Sequence, residues 1–325
     1  MRYDDIIQTE DTDFLYDRWQ DYRDELTDFI IQSVEHYHIR RHLNFCGTLR
    51  LRGTYNIEDI VRGYKEKPVL AIWGAGGCND IDIVRLSGYF RLVLIDRDIV
   101  QLKKTIERFG LDGTSCVCTD LYFWDISPEE YRLFEAMLMD GCSKKEIGQY
   151  LRDIAGHMEI PDYDSLPDFD YSVVVGLASQ LNVRLAALAD LYGHYNNVKD
   201  ILHELNVLAV DRLLCAVEKM TDKMVITGYE LIHARDSITQ EDEDIRCKLN
   251  EDEEIPVFSR ICSMRDEGNH SAPAGNEVLE DTLRLWTESE RYRIISHKAM
   301  FWPFYEHKSY LMMLFAMEKG QGSCD

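Results

Sequence analysis

One short segment constrains the fold of this chain more than any other: an apolar run that stops at a glycine-rich turn. Pro68 to Trp73 is continuously apolar, and Gly74-Ala75-Gly76-Gly77 follows it directly. An unbroken apolar run of this length, bounded by glycine, predicts a strand buried on both faces of a parallel sheet. Parallel strands need crossover connections, so this segment predicts an α/β protein.

Strand-like and helix-like segments alternate along the rest of the chain. Further elements are predicted as strands at 91–95, 115–118, 171–175 and 224–229, and as helices at 99–109 and 198–220. Two strand-like runs, 293–301 and 309–317, close the chain, and the short connection between them requires an antiparallel pair. We therefore predict a doubly wound, mostly parallel seven-stranded sheet with an antiparallel C-terminal strand pair.

The domain organisation is predicted from the same pass along the chain. Residues 1–64 are expected to form an N-terminal helical extension, because apolar residues recur there at helical spacing among charges. Residues 65–235 are expected to form a Rossmann-like core with a helical insertion at about 121–168. An acidic loop and a helical insertion are expected at 236–290, and residues 291–325 are expected to complete the core sheet.

The acidic part of the second insertion, Gln240 to Glu254, contains few apolar residues. Such a composition predicts a flexible loop, because little apolar surface is available to offset the entropy lost on ordering. The alternative is a docking surface for a basic partner.

The glycine turn and an acid about twenty residues later form the strongest functional pattern. Glycines let a ligand approach the backbone closely, and the N-terminus of the helix that follows favours polar ligand groups. Asp96 ends the second predicted strand, where a carboxylate can accept hydrogen bonds from ribose hydroxyls. Strand, glycine turn, helix, strand and acid together predict a nucleotide site.

At these residues the sequence resembles the class I S-adenosylmethionine-dependent methyltransferases. Residues 69–82 look like the first motif of that family, Asp96 looks like its ribose-binding acid, and Cys118-Thr119-Asp120 resembles its third-strand end. Residues 171–181 resemble its fourth strand and the loop facing the donor. The resemblance covers roughly 65–319 and implies S-adenosylmethionine as cofactor. It places the contacts at Gly74, Ala75, Gly76, Asn79, Asp80, Asp96, Arg97, Asp120, Leu121, Gly176 and Leu177.

Two positions depart from the family pattern. Ile72 stands where the family often has an acid, and Cys78 replaces the third glycine of the turn. Asn79 or Asp80 would then contact the methionine part of the donor, or else would only cap the helix that follows. Asp120 has an equally simple alternative role as a turn former.

The catalytic residue is left open by the sequence. Methyl transfer needs positioning and exclusion of water rather than a covalent intermediate or a metal. Polar candidates for a base are Gln180, His194, His297 and His307, and each single histidine is expected to have an ordinary structural or surface role. The nine cysteines lack paired metal-site spacing, so we expect no metal.

Three functions fit the pattern. The first is a methyltransferase acting on a small-molecule or protein acceptor. The second is a non-catalytic module that binds the donor. The third is an NAD-dependent oxidoreductase, which Asn79 disfavours because that fingerprint has glycine at the sixth position of the turn.

The formal net charge of -23 limits which substrates the protein can bind. A surface this acidic repels phosphate backbones, so we expect no nucleic-acid substrate. No apolar run is long enough to span a membrane and the first residues do not look like a signal peptide, so we expect a cytoplasmic protein without a membrane partner.

Overall fold

The computed structural model describes residues 16–46, 56–111, 113, 116–119, 124–158, 168–235, 238–251, 256–267, 275–305 and 308–320. Within these residues, seven strands form one sheet: β1 Val69–Trp73, β2 Arg91–Ile95, β3 Cys116–Thr119, β4 Phe169–Val175, β5 Thr221–Arg235, β6 Tyr292–Tyr305 and β7 Lys308–Lys319. The order across the sheet is β3-β2-β1-β4-β5-β7-β6. The first five strands run parallel, and β7 pairs antiparallel with both β5 and β6. The predicted sheet is confirmed.

Helices connect and cover the strands. They are α1 Gln20–Cys46, α2 Ile57–Arg62, α3 Ile83–Tyr89, α4 Ile99–Phe109, α5 Pro128–Met139, α6 Lys144–His157, α7 Val183–Leu191, α8 Tyr195–Met220, α9 Gln240–Asn250, α10 Val257–Glu267 and α11 Asn276–Glu288. A single 3₁₀ turn, Ala178–Gln180, follows β4.

The sheet is buried on both faces, as the apolar strands predict. Successive residues of β1 divide between the two faces: Leu70 and Ile72 join one core with α1 to α4, whereas Ala71 and Trp73 join the other with α8 to α11. Helix α1 is therefore part of the main core, because its apolar stripe lies on the sheet. The amphipathic pattern predicted the helix but not the surface that it covers.

The first insertion is helical, as predicted. Ser127 and Ser143 each form a complete capping box at the start of α5 and α6. These two helices build a third core with α7 and the first half of α8, in which Phe134, Leu151 and Leu188 are fully or almost fully buried.

The prediction of a flexible acidic loop is wrong for Gln240–Asn250, which is helix α9. Thr239 begins it with a capping box, and three acids occupy its first turn, where the helix dipole favours them. Leu249 is fully buried in the core between α9 and the sheet. Asn250 exchanges two hydrogen bonds with the backbone of Ala299 on β6, at 2.7 and 2.9 Å. Ile245 also packs against this core, and the Arg246 guanidinium lies over the Phe301 ring, so several contacts hold the helix against the sheet.

Helix α1 is tied to the amino-terminal ends of the strands through a polar cluster around His38. Its Nε2 lies 2.7 Å from the Tyr171 hydroxyl on β4. Tyr64 bonds to both, and Lys223 on β5 donates to Tyr64 and pairs with Asp170. Burial lowers the pKa of His38 to about 4. His38 is therefore packed in this cluster rather than solvated on the surface of the helix.

Candidate cofactor site

The glycine turn after β1 has the backbone conformation of a close-approach loop. Gly74, Gly76 and Cys78 all have positive φ, at +70°, +47° and +48°. A side chain at Gly74 would place its Cβ 2.8 Å from Leu177, which follows β4, so this position requires glycine. Cys78 is also in the left-handed conformation, which a cysteine rarely adopts.

Asp96 holds this turn from the end of β2. Its Oδ2 accepts a hydrogen bond from the Gly76 backbone N–H and its Oδ1 accepts one from Asp98, both at 2.9 Å. Each carboxylate oxygen has a second lone pair, so the group can still accept bonds from a diol. The side chain is partly exposed at the carboxyl edge of the sheet. Its position is the one that the sequence predicted for a ribose-binding acid.

Asn79 supports the turn from inside. Its side chain is 4% exposed, and its Oδ1 accepts a hydrogen bond from Arg108 at 3.1 Å. Arg23 of α1 donates to its backbone carbonyl at 3.0 Å. Helix α3 is capped by Asp82, so helix capping by Asn79 or Asp80 is wrong. The structure thus gives Asn79 a bracing position between α1 and α4.

Asp80 follows Asn79 directly and is partly exposed. Burial raises the pKa of its carboxyl to about 6, opposed by a backbone hydrogen bond and by the positive charge of Arg23. Its negative charge also acts on the Tyr22 hydroxyl of α1, whose pKa is raised by burial first and then by Asp80, Glu230 and Glu25. A partly exposed carboxylate with a raised pKa, beside the glycine turn, is a candidate to bind a cation.

The end of β4 forms the other side of the site. Gly176 has φ of +66°, and a Cβ there would lie 3.6 Å from the Trp302 ring and 3.8 Å from Oε1 of Glu230. Leu177 follows it and packs over Gly74. The backbone of β4 therefore approaches the glycine turn of β1 at the same edge of the sheet.

Glu230 on β5 was missed by the sequence analysis. It is 4% exposed and accepts hydrogen bonds from Ser179 at 2.9 Å and from Asn276 at 2.8 Å. Burial raises its pKa. The predicted fifth strand ended at Tyr229, but β5 continues to Arg235. A single acid inside the apolar run Tyr229-Glu230-Leu231-Ile232 was the signal that could have identified it.

No protein-family model and no curated protein matches the sequence. Among solved structures, the chain is similar to the N-methyltransferase NodS from Bradyrhizobium japonicum in complex with S-adenosylhomocysteine, with 12% identity over 87% of each chain and a TM-score of 0.34. It is also similar to a SAM-dependent methyltransferase from Methanosarcina mazei, with 10% identity over 80% of this chain and 96% of that one and a TM-score of 0.37. These are remote likenesses. The function proposed for this chain rests on its own residues.

The strand order decides the fold. The order β3-β2-β1-β4-β5-β7-β6 contains the mostly parallel sheet and the antiparallel C-terminal strand pair that were predicted, and the structure adds that β7 lies antiparallel between β5 and β6. The chain has a class I methyltransferase fold.

The structure places the remaining predicted residues as follows. Ala75 is buried in the turn and donates to the carbonyl of Ile95, and Arg97 is exposed directly after Asp96. Asp120, Leu121 and His307 lie outside the described residues.

The described base candidates lie in three different parts of the fold. Gln180 is exposed after β4, and His194 precedes α8 beside the third core. His297 lies on the opposite face of the sheet from α1, where it contacts Leu249 and Arg260.

Proposed function

We propose that this protein is an S-adenosylmethionine-dependent methyltransferase acting on a small-molecule or protein acceptor. One observation carries the proposal. The glycine turn of β1, the acid of β2 and the glycine end of β4 converge at the carboxyl edge of the sheet, where Asp96 bonds to Gly76 and Leu177 packs over Gly74. Open α/β sheets bind their ligands at this edge, beside the point where the strand order reverses.

The residues present fit the donor in three places. Asp96 would accept hydrogen bonds from the ribose hydroxyls, and the open backbone at Gly76 would let the donor approach. Asp80 would pair with the ammonium group of the methionine part, in place of the acid that the family has at position 72. The resemblance also assigns the adenine to Asp120 and Leu121.

Bound donor supplies a methyl group on a positively charged sulfur. The chain has to hold the acceptor in line with that methyl group and keep water out. A cluster of aromatic side chains would exclude water from the acceptor. Tyr22 of α1 stacks on Trp302 of β6 with ring centroids 5.5 Å apart, and Trp19 contacts the edge of Trp302. These residues belong to the N-terminal helix and the C-terminal strand pair, so both ends of the fold would take part in enclosing the acceptor.

A dinucleotide-dependent oxidoreductase is disfavoured by the turn itself. The sixth position of the fingerprint is Asn79, whose buried side chain bonds to Arg108 and fills the space where the dinucleotide turn has glycine. A module that binds the donor without catalysis would share Asp96 and Asp80, and it would lack measurable methyl transfer.

We further propose that the acceptor is not a nucleic acid. The net charge of -23 opposes phosphate backbones. Arg41, part of the one basic stretch in the sequence, pairs with Glu318 at 3.0 Å. Among the described residues, no helix is long and apolar enough to cross a membrane.

The test is calorimetric binding of S-adenosylhomocysteine to Asp96→Asn and Asp98→Asn variants. Asp96→Asn is expected to weaken binding about tenfold or more, because a charge-assisted bond to the ribose is lost. Asp98→Asn is the matched control: it removes the same charge two residues away, and asparagine caps α4 as well as aspartate does. Equal affinities of the two variants would remove Asp96 from the donor site.

A further inference from the structure

Glu230 is a buried carboxylate that the fold holds without a matching cation within salt-bridge distance among the described residues. Its two oxygens receive one hydrogen bond each, from the Ser179 hydroxyl and from the Asn276 amide. The amide of Asn276 also donates to the backbone carbonyl of residue 230, which fixes its orientation. Asn276 begins helix α11, so the positive end of that helix helps to keep the carboxylate charged.

The carboxylate lies beside the glycine that ends β4, at the carboxyl edge of the sheet. Its Oε1 is 3.8 Å from the position of a Cβ on Gly176, the residue that ends β4 beside the glycine turn. Ser179, which holds Oε1, follows in the same loop. Glu230 on β5 therefore lies next to the end of β4. Two strands, β4 and β1, separate it from β2, which carries the proposed ribose acid Asp96.

The other charges around Glu230 leave room for a further cation. The positive charge of Lys308 lowers the pKa of Glu230, but this is the smallest of the effects on that pKa. The ammonium group of Lys308 lies over the rings of Phe304 and Tyr310. Glu25 is already paired with Lys298 at 2.8 Å. Asp80 adds a second negative charge near Tyr22. A buried carboxylate in such surroundings is costly unless a ligand compensates it.

We propose that the acceptor is an amine, which enters as an ammonium ion, pairs with Glu230 and gives its proton to that carboxylate. This inference rests on the proposed function. The nitrogen lone pair freed by deprotonation forms the new bond to the methyl carbon as the carbon–sulfur bond breaks, and its electron pair returns to sulfur. The products are the methylated ammonium ion and neutral S-adenosylhomocysteine, and the proton on Glu230 leaves to water. An alcohol would leave the charge of Glu230 uncompensated, and a carboxylate or phosphate acceptor would be repelled.

The test uses full-length protein saturated with S-adenosylhomocysteine and three matched probe pairs. These are 2-phenylethylammonium with 2-phenylethanol, cyclohexylammonium with cyclohexanol, and butylammonium with butanol, each titrated by calorimetry. At least one ammonium ion is expected to bind about tenfold or more tightly than its alcohol. Glu230→Gln should abolish that preference, because the glutamine oxygen can still accept from Asn276 and its amide can donate to the Ser179 hydroxyl, but the charge is lost.

Glu280→Gln is the matched control. Glu280 is another buried glutamate, on α11, and it accepts a hydrogen bond from Tyr229. This variant should retain the ammonium preference, whereas a merely structural role of Glu230 predicts that both variants behave alike. If no ammonium ion is preferred by wild-type protein, or if the preference survives in Glu230→Gln, the inference is overturned. Failure of S-adenosylhomocysteine itself to bind would instead overturn the proposed function.

Discussion

At the scale of single residues, the charged form of Asp80 lowers the free energy of unfolding. Burial raises its pKa from 3.8 to about 6, so the folded protein binds more protons than the unfolded chain between these values. The free energy of unfolding then falls as the pH rises from about 4 to about 6, and the carboxylate is destabilising at neutral pH. A charge kept at such a cost fits a residue that binds a cationic group.

Asp80→Asn should therefore stabilise the ligand-free protein by about 1–2 kcal/mol near neutral pH and by nothing near pH ~4. The same change should weaken S-adenosylhomocysteine binding about tenfold, because the partner of the ammonium group is lost. Urea unfolding at the two pH values, with calorimetry of the ligand, measures both effects. Asp82→Asn is the control, since asparagine also caps α3. A variant that is less stable at neutral pH, with unchanged affinity, would contradict this account of Asp80.

Residues differ in how far the sequence predicts their roles. The position of Asp96 at the end of β2 was predictable because it depends only on local order, namely a strand end about twenty residues after a glycine turn, while its role in donor binding stays a prediction. Glu230 was not, because its environment is assembled from β4, β5 and the start of α11, which are distant in sequence. The sequence left Asn79 open between a ligand contact and a helix cap, and only the packing of Arg108 against it shows the bracing position.

At the scale of elements, α9 shows how little apolar surface can hold a helix on a sheet. Leu249→Ala should lower the free energy of unfolding by about 2–4 kcal/mol, because it leaves a cavity between α9 and the strands. Leu285→Ala, at a leucine of α11 that is 57% exposed, should change it by less than about 1 kcal/mol. Chemical denaturation of both variants checks this. Equal small effects would show that α9 does not depend on this contact.

Elements were predicted well where local chemistry dominates. The boundaries of β2 and α4 agree with the prediction, and the insertion predicted as helical contains α5 and α6, which begin with capping boxes at Ser127 and Ser143. The prediction of a loop for the acidic segment failed because a count of apolar residues does not register a single leucine that becomes fully buried. Helix α1 was predicted as a helix, but an amphipathic stripe does not specify which surface it covers.

At the scale of the whole molecule, the sheet order brings distant parts of the chain to one edge. The glycine turn, Asp96 and Gly176 come from three different strands, while Tyr22 and Trp302 come from opposite ends of the described chain. Donor binding should consequently stabilise the fold as a unit, since both the core strands and the N-terminal helix border the site.

The most direct test of the central claim is thermal unfolding of the full-length protein with S-adenosylhomocysteine, and in parallel with NAD. At a ligand concentration of ~100 times the dissociation constant, S-adenosylhomocysteine should stabilise the protein by ~2.7 kcal/mol in one cooperative transition. NAD should leave the transition unchanged, because Asn79 and Arg108 fill the dinucleotide turn. Stabilisation by NAD and none by S-adenosylhomocysteine would contradict the account.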